Sequence, residues 1–134
     1  MFDFIDEQHL QRSVQPVQYG LRLLLPPGSP LNDILASEGR LGPFEDALLT
    51  YTWSALDPRV DALQAALASM AETAAEAGED AAVTFGRARA AAYEAAGRAA
   101  AAPRAAGPDV PGLTESWFCC AEPTAGQLAA LSLV

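Results

Sequence analysis

Alanine constrains this chain more than any other residue: 29 of the 134 residues are alanine, and most of them fall between Asp57 and Gly107. Alanine is the best helix former and contributes little apolar area per residue. The middle of the chain therefore reads as helix with a thin core, whatever surrounds it. Asp57-Pro58 supplies an N-cap followed by proline at the first helical position, where its missing N–H is not needed. Val60, Leu63, Leu67, Met70 and Ala74 then recur at steps of three and four, one apolar stripe along a helix of about 20 residues, or ~30 Å. Gly78 ends it. A second helix is predicted from about Asp80 to Ala102, with Val83, Phe85, Ala92, Tyr93 and Ala96 on its apolar face. The two form an antiparallel hairpin that needs a third surface to bury Leu63, Leu67, Phe85 and Tyr93.

Residues 1–56 are mixed in composition and hold most of the aromatic side chains. Phe2, Ile5 and Leu10 have approximate helical spacing, which predicts a short helix stopped by Gln15-Pro16. The run from Val17 to Leu25 alternates and then becomes continuously apolar, the pattern of a strand buried on both faces. Pro26-Pro27-Gly28-Ser29-Pro30 closes it as a rigid turn. Such a strand has no partner in this chain, so the unit looks like one piece of a larger α/β sheet. Residues 108–134 are punctuated by proline and end on an apolar tail.

Seventeen acidic residues face eight basic ones, all arginine, for a net charge of −9. Nucleic acid and anionic membrane surfaces are thus disfavoured partners, because repulsion opposes the encounter. The absence of lysine excludes Schiff-base chemistry. No stretch approaches the roughly 18–20 apolar residues of a membrane helix, and residues 1–10 lack the basic and apolar regions of a signal peptide, so a soluble cytoplasmic protein is expected. His9 is the only histidine and reads as a residue on a solvent-facing helix, not a metal ligand. Paired carboxylates such as Asp57 with Asp61, or Glu76 with Glu79, read as caps and solvated helix faces.

The unusual feature is Cys119-Cys120, the only cysteines, placed between Trp117-Phe118 and Ala121-Glu122-Pro123. Adjacent cysteines close no loop, so they cannot staple the fold. A ring between them would be strained and easily reduced, which suits redox exchange, soft-metal binding or docking. The flanking aromatics and Glu115 and Glu122 raise the thiol pKa, which suits small buried hydrophobes instead. Residue chemistry alone leaves both readings open.

The pentapeptide Cys119-Cys120-Ala121-Glu122-Pro123 resembles the C-terminal signature of the CUAEP/CCAEP-tail radical SAM proteins, in which the second position is cysteine or selenocysteine. The runs Pro16 to Ser29, Phe44 to Trp53 and Asp57 to Gln64 look like the segments that follow the barrel core in that family. The resemblance implies a mainly α C-terminal region: residues 1–56 at the end of a partial α/β barrel, residues 57–107 as the helical hairpin and residues 108–134 as the Cys-Cys-Ala-Glu-Pro tail. It implies that Cys119 and Cys120 serve catalysis. It places Arg22, Pro27, Gly28 and Ser29 at the last barrel strand and its loop, where barrel ligands gather. The cofactors implied for the intact enzyme are S-adenosylmethionine, a 4Fe-4S cluster and cobalamin, and the implied partner is the N-terminal barrel region. The C-x3-C-x2-C cluster motif is absent from this chain, so no cofactor and no catalysis are expected of the chain alone. Two rival expectations remain from the residues themselves, a non-enzymatic helical module that oligomerises through its hairpin and an independent thiol-redox or soft-metal-binding protein.

Overall fold

The structure, a computed structural model, describes residues 1–108. It is mainly α, with four α-helices and one two-stranded antiparallel sheet among the described residues. Helix α1 (Phe2–Glu7) is followed by a 3-10 turn (Pro16–Gly20), helix α2 (Pro30–Ser37), strands β1 (Leu41–Glu45) and β2 (Thr50–Trp53), and the long helices α3 (Pro58–Ala77) and α4 (Ala81–Ala95).

Helices α3 and α4 form the expected hairpin, each opened by an aspartate. The Asp57 side chain accepts from the Arg59 N–H, and that of Asp80 accepts from the Ala82 N–H. Both occupy the N-cap position, where a carboxylate satisfies a free helical N–H and meets the positive end of the dipole. Gly78 takes the left-handed conformation at φ 62°, and the Glu79 N–H returns to the Ala74 carbonyl at 2.9 Å. That six-residue closure is a Schellman motif, which glycine enters without strain.

The third surface required by the hairpin is the 3-10 turn with α1. Tyr19 and Ile5 pack against Leu67, Phe85 and Ala88, with Phe2, Leu10, Val14, Leu63, Met70 and Ala91 around them. The rings of Phe2, Tyr19 and Phe85 lie 5.2–6.2 Å apart at tilted angles, within the range aromatic pairs favour. Gly20 lets the turn lie directly on α3, since a Cβ there would sit 2.6 Å from the Ala68 Cα.

Strands β1 and β2 pair in the register Leu41 to Trp53, Phe44 to Tyr51 and Glu45 to Thr50, with an irregularity between Leu41 and Phe44. A second small centre forms there: Phe44 and Tyr51 stack edge to face at 5.1 Å, and the buried Thr50 hydroxyl accepts from the Leu25 N–H at 2.7 Å.

Four expectations are corrected. Residues 17–25 are not a strand buried on both faces, nor is the segment without a partner in the chain, since Leu25 bonds Thr50 and Tyr51 of β2. The first part is the 3-10 turn, the remainder is extended with a single bridge at Leu23, and only Leu25 of its leucines is buried while Leu21 and Leu23 are exposed. The contact of Gly20 with α3 forces the turn, and hydrophobic continuity alone could not report it. Pro30 starts a helix instead of ending a turn. Helix α4 stops at Ala95, seven residues early, because Gly97 adopts φ 64° and the Arg98 N–H closes back to the Tyr93 carbonyl at 2.8 Å. His9 lies beyond α1 at φ 55° and not on a helix face.

Candidate functional site

Arg22 leaves the 3-10 turn on extended backbone and reaches the first turn of α3. Its Nη1 donates to Asp61 Oδ1 at 3.0 Å, its Nη2 donates to the Trp53 carbonyl, and its guanidinium lies 4.4 Å from the centre of the Trp53 ring. Ion pair and cation–π contact together fix a planar guanidinium far better than either alone. The second oxygen of Asp61 accepts from the Ala55 N–H at 2.9 Å. That N–H, helped by the Arg22 charge, holds the Asp61 carboxyl below the usual carboxylate range. Asp61 is therefore a joint between segments, whereas the spacing of Asp57 and Asp61 suggested a solvated face.

Pro27, Gly28 and Ser29 stand on the loop that follows. Gly28 has φ 82°, the Ser29 N–H donates to the Pro26 carbonyl at 3.1 Å, and proline precedes the glycine. These are the marks of a type II turn. Asn32 caps it by donating from Nδ2 to the same carbonyl at 3.0 Å. Ser29 is the N-cap residue of α2, with no side-chain bond to the helix. Arg22 is thus engaged within the fold, and the Pro27-Gly28-Ser29 turn stands separately at the start of α2.

What the turn and Arg22 flank is a groove of about 250 Å³ lined by Leu23, Leu25, Leu31, Ile34, Leu35 and Trp53, with Glu38 and Arg40 at its rim. Three of its apolar side chains are substantially exposed: Leu23 at 51%, Ile34 at 52% and Leu31 at 40%. Exposed apolar residues grouped on one face make this groove the candidate contact surface among the described residues. Its extended segment is tied to β2 through both carbonyls. The Leu25 carbonyl accepts from the Tyr51 N–H at 2.9 Å and the Leu23 carbonyl from Trp53 Nε1 at 3.0 Å. Arg40 is held at the rim by the Ser54 carbonyl at 2.8 Å and Glu38 at 2.7 Å.

Sequence reasoning missed α2 and therefore the groove. The signal was present: Ser29-Pro30 is an N-cap with proline at N1, and Leu31, Ile34 and Leu35 follow at helical spacing. Cys119 and Cys120 lie outside the described residues. Among the described residues no three His, Cys, Asp or Glu side chains gather as a metal site, and no helix is long and apolar enough to cross a membrane.

No protein family, curated protein or solved structure matches the chain.

Proposed function

We propose that this chain is the C-terminal accessory region of a radical SAM enzyme, a helical domain that packs against the end of the enzyme's partial α/β barrel and brings Cys119 and Cys120 to the active site. The observation that carries this reading is the run Cys119-Cys120-Ala121-Glu122-Pro123 in a chain with no other cysteine. The apolar groove supports it, because exposed Leu23, Leu31 and Ile34 beside an extended segment suit burial against further sheet. In the intact enzyme Pro27, Gly28 and Ser29 would border the ligand end of the barrel, with Arg22 fixing the angle of the segment that leads to them.

The enzyme belongs to the cytoplasm on this reading. S-adenosylmethionine, the 4Fe-4S cluster and cobalamin would be held by the missing region. This chain's two cysteines are adjacent and cannot supply the three spaced thiolates of a radical SAM cluster. No step through the cluster is assigned to these residues, and the isolated chain is proposed to be inactive. Its own contribution is a thiol or thiolate presented to the reacting centre.

Two measurements test the reading. The coding sequence upstream of Met1, read in frame, should continue into a C-x3-C-x2-C stretch. In the enzyme so defined, Cys119→Ser and Cys120→Ser should each abolish turnover with iron content unchanged. Full turnover in both variants would remove the thiol role. A stop codon directly before Met1 would remove the barrel and leave an independent interaction module whose groove binds another protein.

A further inference from the structure

Residues 98–108 follow α4 as a segment with neither helix nor strand, and their composition makes that unexpected. Ala99 to Ala102 continue an alanine-rich helix, and their side chains are exposed and have nothing to anchor them. Gly97 ends α4, but the propensity of Ala99 to Ala102 would let helix resume beyond it. A non-helical chain must find other partners for its N–H and C=O groups. Here four side chains of the globule pair with four of them.

Arg89 lies on α4 with its side chain 7% exposed, and its Nη1 donates to the Ala101 carbonyl at 2.6 Å. Asp6, 5% exposed at the end of α1, accepts from the Arg104 N–H at 2.8 Å while Gln11 donates to the same oxygen at 3.1 Å. His9 Nδ1 lies 2.8 Å from the Ala105 carbonyl, and Arg12 Nη1 donates to the Gly107 carbonyl at 3.0 Å while its Nη2 holds Asp80 at 3.0 Å. The fit at the far end is close, because a Cβ on Gly107 would stand 2.3 Å from the His9 carbonyl oxygen.

We infer that residues 98–108 are a strap clamped by its backbone, with the buried Asp6 carboxylate as its key, and that the clamp sets the point from which residues 109–134 depart. The clamp reads the main chain and takes no account of the alanine side chains. Hydrogen bonds to charged groups are the stronger kind, and those of Asp6, Arg12 and Arg89 offset what the alanines lose by leaving the helix. The consequence for Cys119 rests on the function proposed above. From a clamped Gly107 the thiol can travel no farther than about 40 Å, at roughly 3.3–3.6 Å per residue of fully extended chain. Release back to Gly97 would raise that limit to about 75 Å on the same per-residue span.

Hydrogen exchange read by mass spectrometry on the whole chain tests the clamp without any thiol assay. Asp6→Ala should speed exchange of the Arg104 amide by about ten- to a hundredfold, the size expected for losing a bond to a charged acceptor, with α3 and α4 unchanged. Asp6→Asn keeps an oxygen acceptor and should restore most of the protection. Unchanged exchange at Arg104 in Asp6→Ala overturns the proposal. If that variant loosens every helix alike, Gly107→Ala decides: faster exchange confined to residues 98–108 upholds the clamp, and none overturns it. Loss of the clamp leaves the thiol proposal standing, and failure of the cysteine variants leaves the clamp standing.

Discussion

The Arg22 guanidinium meets the Asp61 carboxylate at 3.0 Å across 39 positions of sequence, joining the extended segment to the first turn of α3. The Arg22 guanidinium also lies over the Trp53 ring of β2, so three elements converge on one charge. Arg22→Ala should destabilise the fold by about 1.5–3 kcal/mol, because Asp61 then keeps its charge without its strongest side-chain partner. Arg22→Lys should recover only part of this, since an ammonium can neither fork nor stack. Urea denaturation of the two variants measures both.

Acid should unfold the protein from below the ordinary carboxylate range. Tyr93 donates to Asp3, Arg59 to Asp57, the Ala55 N–H to Asp61 and Arg12 to Asp80, and each carboxyl is held below its usual value of 3.8. As pH falls, the unfolded chain takes up protons first, so the stability these groups confer is full above about 3.8 and drains away below it. Circular dichroism against pH should show a plateau through neutrality and a loss only in strong acid. A loss centred near pH 6 would contradict the assignment.

Tyr19 predicts the opposite limit. Burial against Phe2 and Phe85 pushes its phenol up to about 12 from 10.0. The unfolded chain ionises first on the alkaline side, so stability is intact below pH 10 and declines as pH rises from there towards 12. Part of the tyrosinate absorbance should therefore appear late, with Tyr19 ionising only as the far-UV signal collapses.

Gly20→Ala should cost about 1–3 kcal/mol, the usual penalty for forcing atoms into a packed contact. The obstacle is the Ala68 backbone at 2.6 Å, which cannot swing aside as a flexible side chain would. Thermal melts compare it with Ala36→Gly on exposed α2, where the loss should be only about 1 kcal/mol of helix propensity.

Ile34→Lys separates docking from folding. The side chain is 52% exposed in the groove, so the isolated chain should keep its stability within about 0.5 kcal/mol. If the proposed barrel region docks here, its association with this chain, measured by co-purification, should be lost. Unimpaired association would move the interface away from this groove.

Sequence alone determined the parts of this protein that depend on local chemistry. Asp57-Pro58, the stripe through Leu63, Leu67 and Met70, and Gly78 set α3 to within a residue, because caps, periodicity and a left-handed glycine act over one or two turns. The need of the hairpin for a third surface was likewise legible from its thin alanine faces. The leucines from Leu21 to Leu25 were misleading, since their exposure depends on where Gly20 touches Ala68 and on a Thr50 hydroxyl that meets Leu25 from 25 positions away. Ser29-Pro30 carried the start of α2, but the groove behind it required Trp53 from β2. Gly97 ends α4 locally, and tertiary contacts decided only the path of the chain beyond it. Alanine favours continuing to Ala102, yet Asp6, His9, Arg12 and Arg89 bond the backbone of the segment beyond it from across the fold. Propensity is worth tenths of a kilocalorie per residue, and a set of hydrogen bonds to charged groups outweighs it once the tertiary structure has brought them within reach.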